Sequence, residues 1–130
     1  MARAQNASQL SFLFEPPPAP VTTEPTWFKI ELDKKGWSYG HIGIRPNDDG
    51  TWSYTTRDNF GGYCGHGGPF HGAYESFDEA LEVAIARMWK GWRGIAERMN
   101  DSCCKENHRA MARKGLAWLD ELAAEYQVQH

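Results

Sequence analysis

The side chains best suited to chemistry fall in two short stretches. Cys64, His66 and His71 lie within DNFGGYCGHGGPFHGAYE, and Cys104 and His108 stand four residues apart further on. Cys64 and His66 from the first stretch, with Cys104 and His108 from the second, would make a tetrahedral Cys2His2 zinc site. Cys64-x-His66 is not a usual knuckle spacing, and Cys104 and His108 fall on an apolar helical stripe. A small buried thiol beside a core histidine explains that pair equally well. No cofactor is therefore expected, zinc being the exception these four residues would allow. The first stretch also holds the parts of a cysteine enzyme. Cys64 would be the nucleophile, glycine N–H groups would cradle an oxyanion, His66 or His71 would act as base and Asp58 would orient it. Nothing in the spacing fixes that geometry, so a non-enzymatic protein is the preferred reading.

Charge and aromaticity supply two further candidates. Residues 87–114 carry eight basic side chains, Arg87, Lys90, Arg93, Arg98, Lys105, Arg109, Arg113 and Lys114, against Glu97, Asp101 and Glu106, a local balance of +5. Arg87, Lys90 and Arg98 flank Gly91 and Gly94, where a phosphate or another backbone can approach closely. A solvated face balanced by acids elsewhere is the competing explanation, because the whole chain carries −3. That net charge fits neither a strongly basic nucleic-acid binder nor an acidic mimic of DNA. Six Trp, five Tyr and six Phe exceed what one small core needs. Trp and Tyr supply rigid contact area at interfaces, so Trp37, Tyr39, Trp52, Tyr63 and Phe70 are the expected contacts with a partner. Arg87, Lys90 and Arg98 would form its charged rim.

These residues must be positioned by one domain, since 130 residues suffice for a single core. Three cysteines, two of them adjacent as Cys103 and Cys104, make no disulfide framework and point to a reducing, cytoplasmic setting. The apolar run of residues 10–14 is too short for a membrane span or a signal-peptide core. Residues 1–25 include Pro16, Pro17, Pro18, Pro20 and Pro25, and read as a flexible Pro-rich arm. Its Leu10, Phe12, Leu13 and Phe14 are able to dock on the chain itself or on a partner.

Residues 26–57 read as three antiparallel strands. Phe28, Ile30 and Leu32 alternate in the first, and Trp37, Tyr39 and His41 oppose Ile42 and Ile44 in the second. Lys34-Lys35-Gly36 and residues 46–50 turn the chain, and Trp52 and Tyr54 lie in the third strand. Residues 58–75 hold six of the 13 glycines and read as a loop without regular structure. Residues 76–99 form the clearest element. Ser76 and Glu79 make a capping box, and Leu81, Ala84, Ile85, Met88, Trp92, Ile95 and Met99 recur at helical spacing. Asn100-Asp101-Ser102 caps a second helix over residues 102–127, whose stripe runs through Cys104, His108, Met111, Gly115, Trp118, Leu119, Leu122 and Tyr126. The expected fold is α+β: a three-stranded antiparallel sheet packed on a C-terminal helical hairpin, all in one domain spanning residues 26–130.

Residues 26 to about 90, a Trp-rich meander leading through glycines into Ser76-Phe77-Asp78-Glu79-Ala80, resemble small βββα modules of phage and mobile-element proteins. The arm-binding domains of phage integrases share the S/T-x-x-E-A helix start, and the resemblance implies a sheet that enters a DNA groove. This sequence departs from them in its glycine stretch, its second helix and its charge. Lys29, Lys34, Lys35, Arg45 and Arg57 are matched by Glu31, Asp33, Asp48, Asp49 and Asp58. A neutral sheet does not favour DNA. The expected function is thus a non-enzymatic protein-binding module of phage or mobile-element origin, able to inhibit a host enzyme such as a defence nuclease. Nucleic-acid binding through residues 87–114 is the alternative, with a Zn-stabilised or Cys-dependent enzyme behind it. The protein is expected to be a monomer or homodimer with no membrane partner.

Overall fold

The structure, a computed structural model, describes residues 24–61, 65–98 and 104–129. Tyr63, Cys64, Met99, Cys103, the expected cap at residues 100–102 and residues 1–23 of the arm lie outside the described part. The fold is α+β in two layers, an antiparallel sheet with two packed helices on one face. Among the described residues no helix is long and apolar enough to cross a membrane.

Alternation places the first three strands: β1 at Thr26–Glu31, β2 at Tyr39–Pro46 and β3 at Trp52–Asn59. Phe28 pairs with Ile42, Ile42 with Thr56, and Ile44 with Tyr54, so these side chains share the pleat that meets the helices. Asp33 shapes the first turn, its carboxylate accepting the N–H groups of Lys35, Trp37 and Ser38 at 3.0–3.1 Å. Trp37 therefore sits in the turn and not in a strand.

The sheet has five strands rather than three, and residues 58–75 are not an irregular loop. β3 runs on to Asn59, and the chain returns beside it as β4, Gly65–His66, and β5, His71–Tyr74. The two short strands follow one antiparallel path along β3, broken over residues 67–70. The β5 register shifts between its two pairs, beside Gly72 at a φ of 89°, where only glycine is unstrained. Hydroxyls on β3 hold this path: Thr55 Oγ1 donates to the Gly68 carbonyl at 3.0 Å and Ser53 Oγ to that of Gly72 at 2.7 Å. Weak β propensity of glycine hides such a strand from sequence patterns, because here the partner strand supplies the polar side chains.

Helix α1, Phe77–Ala96, begins as its capping signals dictate. Ser76 Oγ accepts the Glu79 N–H at 3.0 Å, and Glu79 Oε1 accepts the Glu75 N–H at 2.7 Å. It ends at Ala96, with Glu97 as its C-cap, three residues short of the expected boundary. Helix α2, Glu106–Tyr126, starts later than expected, with Lys105 at the N-cap. A lysine has no acceptor to offer a first-turn N–H, and His108 compensates in part: its Nδ1 accepts the Lys105 N–H at 3.1 Å.

One side chain ties all the layers together. Trp92, 1% exposed on α1, lies between Gly40 of β2 and Gly115 of α2, and a Cβ at either glycine would overlap its ring. Its indole Nε1 donates to Asp58 Oδ2 of β3 at 2.7 Å, and Phe60 packs at 5.8 Å. Around it Ile42, Ile44, Tyr54, Leu81, Ile85 and Leu119 complete the buried core.

Two glycine substitutions separate this tight slot from open helix surface. Gly115→Ala forces the Trp92 ring aside and is expected to cost about 1–3 kcal/mol. Gly94 has open space around it, so Gly94→Ala is expected to stabilise α1 by about 1 kcal/mol. Thermal melts should move in opposite directions; an unchanged midpoint for Gly115→Ala would mean the slot is loose.

Candidate functional site

The pleat that turns away from the helices carries a distinct set of side chains. By register, Trp27, Lys29 and Glu31 of β1 share it with Tyr39, His41, Gly43 and Arg45 of β2 and Ser53, Thr55, Arg57 and Asn59 of β3. Phe70 joins them from the break before β5, its ring 5.9 Å from Trp27. Trp27 lies across Gly43, where a Cβ would meet its ring at 2.8 Å. Tyr39 stacks on His41 at 4.5 Å, and Trp27 meets His41 edge-on at 6.3 Å. Arg57 lies over the Trp27 ring at 4.8 Å and Arg45 over Phe70 at 4.5 Å. Four aromatic rings and three cations thus form one continuous outer face.

The charge balance of this face differs from that of the sheet as a whole. Asp33, Asp48 and Asp49 belong to turns, and Asp58 points toward the helices. Glu31 alone of the acids in residues 26–60 shares the outer pleat with Lys29, Arg45 and Arg57. A sheet that is neutral by count is cationic on its open side. The imidazole of His41 is held below its usual pKa by burial, then by the positive charges of Lys29 and Arg57. At neutral pH it therefore serves as an uncharged ring in the stack.

The expected contact residues divide between the two sides. Tyr39 and Phe70 belong to the outer face. Trp37 stands in the adjoining turn, 69% exposed, with Lys35 Nζ 5.1 Å from its ring. Trp52 faces the helices, half-buried, its ring 5.5 Å from Phe77. Arg87 is on α1 and donates to Tyr54 Oη at 3.2 Å. Lys90 and Arg98 are also exposed on the helical side. None of these three rims the outer face. Trp27, Arg45 and Arg57, which sequence reasoning did not select, are central to it. The usable signal was the parity of each charged residue along its strand.

The +5 helical surface is partly neutralised. Arg93 pairs with Glu97 at 2.9 Å, and Glu106 pairs with both Arg109 and Arg113, at 2.7 and 2.6 Å. Of the proposed zinc ligands Cys64 lies outside the described residues, and among the described residues no group of three or more His, Cys, Asp or Glu is placed to hold a metal. Buried Cys104 donates weakly to the Ile95 carbonyl at 3.9 Å, and His108 is occupied at the α2 start. The enzyme reading fares differently. Asp58 Oδ1 lies 3.0 Å from His66 Nδ1, so the expected orienter and base do meet, whereas Cys64 is outside the described residues.

Comparison with protein-family models, curated proteins and solved structures gives no match to this chain.

The lowered pKa of His41 fixes a pH trend. Above an ordinary imidazole pKa of about 6.5 the ring is neutral in both folded and unfolded chains. As pH falls through that value the unfolded chain takes up the proton first, so stability declines until the folded pKa is passed. His41→Phe keeps a ring in the stack and is expected to flatten the decline in melting temperature between about pH 7 and pH 5. A remainder should persist from His108, whose pKa is lowered by burial and then by Lys105. An unaltered slope in the variant would contradict this account of His41.

Proposed function

We propose that this chain is a non-enzymatic binding module whose outer sheet face seats an acidic surface of a protein partner. The observation that carries the reading is the sorting of charge by pleat, which leaves Lys29, Arg45 and Arg57 among Trp27, Tyr39, His41 and Phe70. Trp, Tyr and Arg are the residue types that dominate binding energy at protein interfaces. Base stacking, by contrast, needs a bare ring face, and guanidinium groups lie over both Trp27 and Phe70. A guanidinium stacked on a ring keeps its N–H edge available for a bidentate bond to a carboxylate. Trp37 extends the contact at the edge of the sheet.

An origin in a phage or mobile element suits such a module, as does inhibition of a host enzyme. A defence nuclease that holds its metal ions with carboxylates would present the acidic surface this face requires. The cationic face on a chain of net charge −3 also helps to orient the encounter with an acidic partner.

The test is a pull-down from host lysate treated with nuclease, comparing the native chain with the charge reversal Arg45→Glu/Arg57→Glu. Both arginines lie outside the core, and circular dichroism should confirm the fold. Capture of a stoichiometric protein is expected to fall about tenfold or more in the reversal and to persist in Lys90→Glu, on the helical side. Equal capture by the reversal would overturn the proposal, as would material that disappears on nuclease digestion. Capture that appears only after removal of residues 1–23 would assign the face to the chain's own arm instead.

A further inference from the structure

On the helical side of the sheet a cleft of about 610 Å3 opens between α1 and the glycine-rich break that joins β4 to β5. Its Asp58, Arg87, Met88 and Trp92 lie on the helical side, whereas Trp27, His41 and Arg57 of the outer face do not line it. The volume lies in the range of pockets that enclose small molecules. Three basic side chains reach it, His66, His71 and Arg87, and each is held in place by a neighbour. Asp58 accepts from the Trp92 indole at 2.7 Å with one oxygen and meets His66 Nδ1 at 3.0 Å with the other. Tyr54, buried at 2% exposure, accepts from Arg87 with its hydroxyl and packs its ring 4.4 Å from His71. The single carboxylate of the cleft is thus engaged at both oxygens, and the other polar side chains of the lining are Arg87, the two imidazoles and the hydroxyls of Thr55 and Thr56. The opposite wall is apolar: Met88, Trp92 and Ile95.

Gly91 adds a separate indication. It stands on the cleft wall in the interior of α1, where glycine weakens a helix by about 1 kcal/mol relative to alanine. No neighbour demands it, since a Cβ there would meet nothing within 4 Å. Its φ is not in the left-handed region either. Without a side chain here the cleft is open at this turn of α1, whereas Gly94, equally unconfined, does not line it.

We infer that this cleft binds a small organic oxyanion, a phosphate or carboxylate carried on a flat apolar body. The oxyanion meets Arg87 with His66 and His71, and the body lies beside Gly91 along the α1 wall that carries Met88 and Ile95. An arginine fork flanked by imidazoles recognises either oxyanion through charge-assisted hydrogen bonds. An apolar body gains from covering the half-buried Ile95 beside Gly91.

The test is titration of the full chain, followed by the NMR signals of the Trp92 indole N–H and of the His66 and His71 rings. The probes are phenyl phosphate, benzoate and inorganic phosphate. Saturable shifts with phenyl phosphate or benzoate, at millimolar or tighter affinity, are expected. Whichever of the two binds more tightly identifies the oxyanion. Arg87→Gln should weaken that binding about tenfold. Gly91→Leu should abolish it while melting no lower than the native chain, because leucine favours helix and points into open space. Gly94→Ala, on the same helix but away from the cleft, should bind as the native chain does. Absence of saturable shifts with all three probes would overturn the inference. So would native affinity in Arg87→Gln or Gly91→Leu, or inorganic phosphate binding as tightly as phenyl phosphate, since the apolar body would then contribute nothing.

Discussion

The architecture depends on the slot that holds Trp92. A buried indole removes roughly 150–250 Å2 from water, a stabilisation of about 4–6 kcal/mol at the usual area coefficient. That gain is available only where two backbones come close enough to clamp the ring. Gly40 and Gly115 allow it, each at a cost of about 1 kcal/mol in its own strand or helix. The burial term outweighs the two glycine penalties together, so residues that are locally poor choices become consistent with the global fold. The indole N–H then needs a partner in the interior, and Asp58 is it. Sheet, α1 and α2 meet at this one ring, which fixes their separation.

From that constraint the cleft follows. Asp58 has one oxygen on the indole, so its other oxygen is directed to the sheet edge, where His66 sits on β4. A structural hydrogen bond therefore places an imidazole beside the helix that carries Arg87. Tyr54 does the equivalent service one pair along β3. Basic groups exposed on a flexible edge would lose much entropy on meeting a ligand; these are held before one arrives.

Much of this was legible in the sequence. The α1 start at Ser76, the apolar stripe through Trp92, the alternation of β1 to β3 and the α+β class are local signals, and local signals survive into the fold. The pairing of Asp58 with His66 was also written in residue type, though not in geometry. What was not legible arises from contacts between distant segments. Ser53 and Thr55 of β3 hold the carbonyls of Gly72 in β5 and of Gly68 in the break before it, so part of the information for that path resides in its neighbour. The late start of α2 depends on His108 capping from within the helix. The sign of the outer face was present all along. It emerges only when Asp33, Asp48, Asp49 and Asp58 are assigned to turns or to the inner pleat, leaving the cations of the strands without equal opposition.

The period of two along β3 explains why both surfaces can exist in so small a chain. Arg57 turns outward onto Trp27, and its neighbour Asp58 turns inward to Trp92 and His66. Adjacent residues thus serve opposite sides without sharing a contact. The inner side is tied to the core and resists change, because altering Asp58 leaves a buried indole donor unpaired. The outer side rests on half-buried rings and exposed guanidinium edges, none of which closes the core. Substitutions at its exposed edges are expected to disturb the core less than a change at Asp58. On the inner side, the residues that hold the helices to the sheet also fix the geometry of the cleft.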